Sequence, residues 1–218
     1  MFRKNCIIIV LFFAATSVFG QKFKLGILVD PTITWLKSDI SDITRDKARM
    51  GIDLGMSVDY FFAQNYAFAT GISLFNMGGT LKYDKAITLH TKDGDIPLDP
   101  FGNGKVKYKI QYVKLPAGLK FKTHEIGRIT YSANLGFDPM IRVSTRANYD
   151  DEKNIKATKA TKMFNLGWHF GTGAQYSLGG NTSLFAGLTF LNTFFDITKH
   201  SKDKITSNNL SFQIGVIF

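Results

Sequence analysis

Hydrophobic and polar residues alternate with a period of two along eight segments of the chain, and this pattern predicts β-strands. The predicted strands cover residues 22–35, 48–61, 66–78, 107–121, 128–146, 163–178, 182–195 and 208–218. The last segment alternates without interruption and ends on the aromatic Phe218, the final residue of the sequence. The sequence therefore predicts an all-β chain whose strands each have one apolar and one polar face.

The connections between these strands alternate between short and long. Short turns fall at 63–65, 123–127 and 179–181, and long polar loops fall at 36–47, 81–106, 147–162 and 196–207. Transmembrane barrels have short periplasmic turns and longer extracellular loops, and strands of ~9–11 residues cross a bilayer. We therefore predict a single eight-stranded antiparallel transmembrane β-barrel with four long extracellular loops, both termini at the periplasmic end, and strand one paired with strand eight.

A soluble eight-stranded barrel would show the same alternation with its apolar face turned inward. The polar face of the sixth strand contains Gly167, Gly171 and Gly173, and such small residues suit a narrow barrel interior better than a solvated surface. Aromatic residues also gather near the strand ends, as membrane interfaces favour. The two predicted girdles are Tyr60, Phe61, Phe62, Tyr66, Phe121, Tyr176 and Phe218 at one rim, and Trp35, Phe75, Tyr108, Tyr112, Phe164, Trp168 and Phe194 at the other.

The fourth strand changes the phase of its apolar residues. Tyr108, Ile110 and Tyr112 share one face, whereas Val113 and the apolar residues after it share the other. A β-bulge near Tyr112 would re-phase the side chains. Alternatively, the stretch before Tyr112 stands above the membrane, where facing would no longer matter. The sequence leaves both interpretations open.

The first twenty residues predict a signal peptide. Arg3 and Lys4 form a basic start, residues 7–15 are apolar, and cleavage before Gln21 would leave residues 21–218 as the barrel domain. The apolar run is shorter than the ~20 residues of a spanning helix. Cys6 precedes the cleavage site and is the only cysteine, so the exported chain is expected to contain no disulfide, zinc-thiolate site or cysteine nucleophile.

The formal net charge of +10 does not indicate nucleic-acid binding, because the lysines are scattered among alternating strands. Parity predicts instead that several charged residues point into the barrel, since Arg or Lys facing lipid at the midplane costs about 2–4 kcal/mol. This predicted lumen network consists of Lys24, Asp30, Asp53, Asp59, Lys114, Lys120, Asp138, Arg142 and Arg146. It would either plug the barrel with salt bridges or line a narrow ion path, and the small diameter of eight strands favours the plug.

Three segments resemble the PorT-like family of Bacteroidota outer-membrane β-barrels: FKLGILVDPTITWLKSD near the start, YVKLPAGLKF at 112–121 and ITYSANLGFDPMI at 129–141. In that family a tyrosine, an apolar-proline pair and a closing lysine mark the fourth strand, and Tyr112, Leu115-Pro116 and Lys120 match. The resemblance implies an eight-stranded barrel in the outer membrane of a Gram-negative bacterium. The founding member is tied to type IX protein secretion, and most other relatives have no assigned activity.

Enzymatic chemistry finds little support in the sequence. His90, His124, His169 and His200 lack metal-ligand spacing, and no GxSxG nucleophile elbow is present. His169 is predicted to point inward as a polar filler. We expect no catalytic residues, metal or cofactor, although some small outer-membrane barrels modify lipid A and that alternative stays open.

The longest loop, 81–106, is expected to be a solvated loop or a binding surface. Asp93 and Asp95 flank Gly94, but the register and closing glutamate of a calcium loop are absent. The sequence thus predicts a non-enzymatic outer-membrane protein with a plugged lumen that acts in interaction or envelope structure through its loops. Alternatives are a secretion-system subunit, a lipid A-modifying enzyme and an ion pore. Expected partners are membrane lipid, envelope or secretion proteins, and the barrel-assembly machinery, which the family resemblance implies would read Phe218.

Overall fold

The protein is described here by a computed structural model that covers residues 22–39, 41–84, 87–90, 95–98, 104–149, 152–198 and 204–218. The predicted signal peptide at 1–20, including Cys6, lies outside the described residues. His200 and the Asp93-Gly94 pair also lie outside them.

Eight antiparallel strands close into a ring, which confirms the predicted fold. They are β1 Phe23–Ser38, β2 Arg49–Ala63, β3 Tyr66–Tyr83, β4 in two segments Lys105–Lys114 and Ala117–Lys122, β5 Ile129–Tyr149, β6 Phe164–Gly179, β7 Thr182–Thr193 and β8 Ile205–Ile217. The ring closes between β1 and β8, with Gly26 opposite Ile217 and Trp35 opposite Asn208. All eight strands pair on both sides, so the ring has no open edge.

The break in β4 falls at Leu115-Pro116, where proline has no N–H to donate to the ladder. The Leu115 N–H donates to the Pro139 carbonyl at 2.9 Å, and the Thr70 hydroxyl donates to the Pro116 carbonyl at 2.9 Å. These two bonds hold the break to both neighbouring strands, so the two segments act as one strand of the ring.

Of the two interpretations of the fourth strand, the β-bulge near Tyr112 is wrong for β4 itself. Along β4 the even-numbered residues point inward throughout, and Tyr108, Ile110 and Tyr112 are almost fully buried. The bulge lies in β5 instead: Gln111 pairs with Ser144 but Tyr112 pairs with Arg142, so Val143 has no partner. Because this extra residue shifts the alternation, Arg146 faces outward and is exposed, which corrects its predicted inward position.

The long connections contain more regular structure than the sequence predicts. The strand Ile43–Lys47 pairs with the far end of β3, and the strand Glu152–Lys156 pairs with the far end of β5. Within the predicted 81–106 loop, Ile87–His90 and Asp95–Leu98 form a separate hairpin, and a short 3-10 helix covers Thr158–Ala160. No helix in the described part of the chain has the length and hydropathy needed to cross a bilayer.

Apolar side chains point outward around the ring over much of its height. On β1 they are Phe23, Leu25, Ile27 and Val29, each at least 41% exposed. We call this surface the apolar band, and its extent is typical of a membrane-facing or partner-facing surface. Aromatic contacts lie at both rims, with Tyr66 and Phe121 5.6 Å apart and Phe164 and Phe195 6.2 Å apart between ring centroids.

The predicted upper girdle is partly wrong. Phe75, Tyr108 and Tyr112 are only 1%, 3% and 0% exposed, because they point into the barrel at the loop end. There they join a buried cluster that we call the apolar cap. Its members are Leu36, Ile43, Phe75, Met77, Leu81, Tyr83, Val106, Tyr108, Ile110, Tyr112, Met140, Ala147, Ala157, Leu191, Ile197 and Ile205.

Candidate functional site

Below the apolar cap, the interior of the barrel is polar, and we call this space the polar lumen. It encloses a cavity of about 100 Å³, which is large enough for several water molecules. Among the polar residues that line it are Asp30, Asp53, Asp59, Lys114, Lys120, Asp138, His169 and Gln213. Six of these eight belong to the predicted lumen network.

Two ion pairs cross the polar lumen from β2 to β4. The Lys114 ammonium donates to the Asp53 carboxylate, and the Lys120 ammonium donates to the Asp59 carboxylate at 2.6 Å. Both pass over β3, and the Lys120–Asp59 pair does so at Ala69, which lies opposite both Asp59 and Gly118. The small inward side chain of Ala69 leaves room for the pair, so the ions fix the spacing of strands that do not hydrogen-bond to each other.

Aromatic rings support both lysines. The Lys114 Nζ lies 4.9 Å from the centroid of the Phe75 ring, and the Lys120 Nζ lies 5.5 Å from that of Phe185. A cation within about 6 Å of a ring centroid is attracted to the ring face. Phe75 belongs to the apolar cap, so Lys114 sits at the boundary between cap and lumen.

A histidine–aspartate pair joins β5 to β6. The His169 Nδ1 and the Asp138 Oδ2 are 2.7 Å apart, a distance that fits donation of the Nδ1–H to the carboxylate. Both residues are at most 8% exposed. A Cβ at Gly136 would stand 2.9 Å from the His169 Cε1, so the glycine provides the space that the imidazole occupies.

Asp30 is held by an amide rather than by a cation. The Gln213 Nε2 donates to the Asp30 Oδ2 at 3.2 Å, and the Thr189 hydroxyl donates to the Gln213 Oε1 at 2.8 Å. Asp30 also lies directly opposite Asp53 in the β1–β2 register. One oxygen of each carboxylate, Oδ1, has no hydrogen-bond donor among the described residues, and water in the cavity is the available partner for both.

The charges are unevenly distributed along the polar lumen. Near the cap, Asp30, Asp53 and Asp138 face Lys114 and His169. Near the periplasmic end, Lys24 lies opposite Asp59 in the β1–β2 register, and Asp59 also binds Lys120. The end of the lumen next to the apolar cap is therefore acidic, and the periplasmic end is basic.

Arg142 does not join the lumen network. Its Nη1 donates to the Thr158 carbonyl and to the Thr161 hydroxyl, each at 2.8 Å, and also to the Thr161 carbonyl. The Thr145 and Thr161 hydroxyls are 2.8 Å apart beside it. Arg142 thus anchors the segment after Glu152–Lys156 to β5, in place of the carboxylate partner that the sequence suggests.

Phe218 lies at the closure of the ring. Its N–H donates to the Leu25 carbonyl at 2.8 Å, and the Leu25 N–H donates to the Phe218 carbonyl at 3.2 Å. Phe218 itself is 49% exposed at the periplasmic rim. These bonds show how the residue is held and leave its predicted role as an assembly signal untested.

Sequence reasoning missed two parts of the site. Inward parity places Gln213 and Thr189 in the lumen, but neither carries a charge that would draw attention. The pairing of Asp138 with His169 depends on the β5–β6 register, and the long connection between these strands hides that register from the sequence.

A family comparison identifies the class of protein. The sequence matches the outer membrane protein beta-barrel domain over residues 19–199, which is most of the chain. The chain belongs to this family, and it is a small β-barrel protein of the outer membrane with transmembrane strands. This confirms the predicted localisation and identifies the apolar band as the surface that contacts lipid.

Solved structures of outer-membrane proteins are also similar to this chain. The chain is similar to OprG of Pseudomonas aeruginosa at 12% identity and a TM-score of 0.50, over 90% of this chain and 94% of that one. It is also similar to Neisserial surface protein A at 13% identity and a TM-score of 0.47, over 88% of this chain and 95% of that one. The attachment invasion locus protein Ail of Yersinia pestis is similar at 11% identity and a TM-score of 0.43, over 90% of this chain and 99% of that one. No match was found among curated proteins.

Proposed function

We propose that the protein is a sealed, non-enzymatic barrel that acts in interaction or envelope structure through its loop end. The observation that carries this proposal is the apolar cap, which fills the interior between the polar lumen and the loops. Met77, Val106 and Tyr112 are each 0% exposed. An ion that entered the lumen from the periplasm would have to leave water and pass through this packed core.

Conductance in planar bilayers tests the seal. Purified barrel should add no stable current steps above the bare bilayer, while a general porin inserted in the same way provides the positive control. Stable open-channel steps from the folded barrel would overturn the plugged lumen and favour the narrow ion pore.

The loop end offers the surface for interaction. β3 and β5 continue beyond the apolar band. There β3 pairs with the short strand Ile43–Lys47, and β5 pairs with the short strand Glu152–Lys156. Deleting 85–103 removes most of the 81–106 loop and leaves the ring strands intact. We expect the deleted protein to remain a folded, heat-modifiable barrel and to lose proteins that cross-link to the full chain in native membranes. Unchanged cross-links would place the interaction elsewhere, and loss of the barrel would show that the loop is structural.

An enzyme acting on outer-leaflet lipid is the second candidate, and the His169–Asp138 pair favours it. A histidine oriented by a carboxylate is part of many hydrolase sites. However, this pair lies beneath the cap, away from the outer leaflet. Lipid A from cells with and without the gene should give identical mass spectra, and a missing modification would establish the enzyme.

The PorT-like relationship and a role in type IX secretion remain a proposal that rests on the fourth-strand motif. Tyr112, Pro116 and Lys120 of that motif all lie on the inward face of β4. Affinity purification of the full chain from native membranes tests the role, because secretion components should co-purify if it is correct. Their absence from the purified complexes would contradict the secretion role and favour a barrel that acts outside a secretion complex.

Phe218 is proposed to be read by the barrel-assembly machinery. Phe218→Ser retains the backbone bonds to Leu25, so we expect less assembled barrel in cells but a nearly unchanged unfolding midpoint in the barrel that forms. An equal loss of assembly and stability would indicate a packing role alone.

A further inference from the structure

Four basic residues gather on the outer face of the barrel just beyond the apolar band. Lys109 pairs with Gly78 on β3 and with Arg146 on β5, and Lys107 follows two residues along. Lys107 and Lys109 alternate with the buried Tyr108 and Ile110, so they point outward. Arg146 points outward because of the β5 bulge. Arg49 reaches the same place from β2.

Three of these residues, Arg49, Lys109 and Arg146, line a groove, which we call the cationic groove, and Lys107 lies next to it on β4. The β2–β3 ladder ends at Asp53 and Phe75, and the Arg49 Nη1 donates to the Met77 carbonyl at 3.0 Å across the gap. Gly78 has a φ of +154°, and a Cβ there would stand 2.1 Å from the Tyr108 carbonyl. No side chain therefore projects toward the groove from position 78. A volume of about 270 Å³ is lined by Arg49, Asn76, Lys109, Ile110, Gln111, Ser144 and Arg146.

Among the side chains that the structure describes, the cationic groove has no carboxylate partner. Other lysines at the loop end form ion pairs: Lys105 with Asp46 at 3.0 Å, Lys82 with Asp84 at 3.2 Å and Lys162 with Asp196 at 3.4 Å. No ion pair in the described part of the chain involves Arg49, Lys107, Lys109 or Arg146. Desolvation lowers the pKa of Lys109, and the neighbouring cations Lys107, Arg49 and Arg146 lower it further.

The position of the groove determines what can reach it. Lys109 lies four residues from the lipid-level Val113, which is about 13 Å along the strand and about 9 Å along the membrane normal at a tilt of ~45°. The headgroup layer is about 5–8 Å thick on each side of the bilayer. Long arginine and lysine side chains reach back over the remaining distance.

We propose that the cationic groove binds a phosphate group on the headgroup of an outer-leaflet lipid. Guanidinium groups bind phosphate oxygens in pairs, and the lysine ammonium adds a point charge. The lipid tails would lie against the apolar band directly below, next to Leu74 and Ile141, which are 46% and 43% exposed. The proposal does not depend on whether the lumen is sealed.

The test compares two double variants of the full chain, purified from outer membranes into detergent. K109Q/R146Q removes two groove cations, and K82Q/K162Q removes two cations that already have carboxylate partners. Each protein is titrated with phosphorylated lipid A, dephosphorylated lipid A and inorganic phosphate, after heat-modifiability has shown that it is folded. The single variants K109Q and R146Q serve if the double variant does not fold.

The wild type and K82Q/K162Q should bind phosphorylated lipid A equally, and K109Q/R146Q should bind about tenfold to thirtyfold more weakly. Each single variant should bind about fivefold more weakly. Equal affinity of all proteins for phosphorylated lipid A would overturn the proposal. Equally tight binding of dephosphorylated lipid A would also overturn it. Inorganic phosphate that binds as tightly as the lipid would show a free-anion site and remove the lipid from the assignment.

Discussion

The two halves of this barrel follow opposite rules along the same strands. In the lower half of β4, Lys114 and Lys120 point inward while Leu119 points to lipid. In the upper half, Tyr108 is buried inside while Lys107 is exposed outside. The inward parity of β4 never changes, so the chemistry is inverted while the geometry of the strand stays the same.

The inversion follows from what surrounds each half. Where lipid covers the outside, burying apolar side chains inside gives no advantage over exposing them, and the interior need only be filled and hydrogen-bonded. Where water covers the outside, the hydrophobic effect drives apolar residues inward, as in a soluble barrel. The apolar cap is thus the core of a small water-exposed barrel that continues from a membrane barrel.

The largest expected effect tests the ion pairs of the lower half, in the polar lumen. Lys114→Met leaves Asp53 buried without its cation, which should lower the free energy of unfolding by about 3–5 kcal/mol. Lys107→Met on the same strand is exposed and should change it by less than about 0.5 kcal/mol. Urea unfolding in lipid vesicles measures both. Similar small losses would mean that the lumen charges are not coupled.

The second effect locates the boundary between the halves by substitutions on the outer surface of the barrel. Leu135 is 48% exposed on the apolar band, so Leu135→Arg should cost about 2–4 kcal/mol. Gln111→Arg points outward above the band and should cost only about 0–1 kcal/mol. The same unfolding measurement applies. Equal costs at both sites would contradict the position of the band.

The third effect concerns pH in the apolar cap. Burial raises the pKa of Tyr108 to about 12 from 10.0, while a hydrogen bond with Tyr83 opposes the shift. The folded state thus holds the phenol proton more tightly than the unfolded state, so this stabilisation is complete below pH 10 and is lost as pH rises toward 12. The loss should be on the order of 2 kcal/mol in wild type.

Tyr108→Phe should lack this part of the alkaline slope, whereas Tyr66→Phe, at the exposed rim, should keep it. The free energy of unfolding as a function of pH gives the comparison. Identical slopes for the two variants would show that water reaches the Tyr108 hydroxyl.

The smallest effect tests the His169–Asp138 bond. In a double-mutant cycle of His169→Gln and Asp138→Asn, the coupling energy should be about 1 kcal/mol, the usual net value of a hydrogen bond. His124→Gln in an exposed turn is the control and should show no coupling to Asp138→Asn. Additive losses at His169 and Asp138 would mean that the pair is not formed in solution.

The alternation of residues was enough to predict the ring, its closure and the inward direction of Asp30, Asp53, Asp59, Lys114, Lys120 and Asp138. These residues lie in the membrane half, where one rule for the two faces holds. The cap residues Phe75, Tyr108 and Tyr112 were assigned to a lipid-facing girdle because the same rule was applied above the membrane, where it is reversed.

Two further errors have a local cause. Arg146 was expected inside because parity was counted through Val143, and a bulge leaves no mark in a single sequence that distinguishes it from a regular strand. Arg142 points inward as predicted, but its partners are threonines of a loop segment. Partners across long connections depend on tertiary structure that residue patterns do not contain.

Labelling of single cysteines along β4 tests the inversion most directly, because residues 21–218 contain no native cysteine. Cysteines at 107 and 109 and at 108 and 110 are exposed to a water-soluble maleimide on the folded barrel in vesicles. The account predicts rapid labelling at 107 and 109 and almost none at 108 and 110 until the protein is unfolded. Equal labelling at all four positions would contradict an apolar cap that closes the barrel.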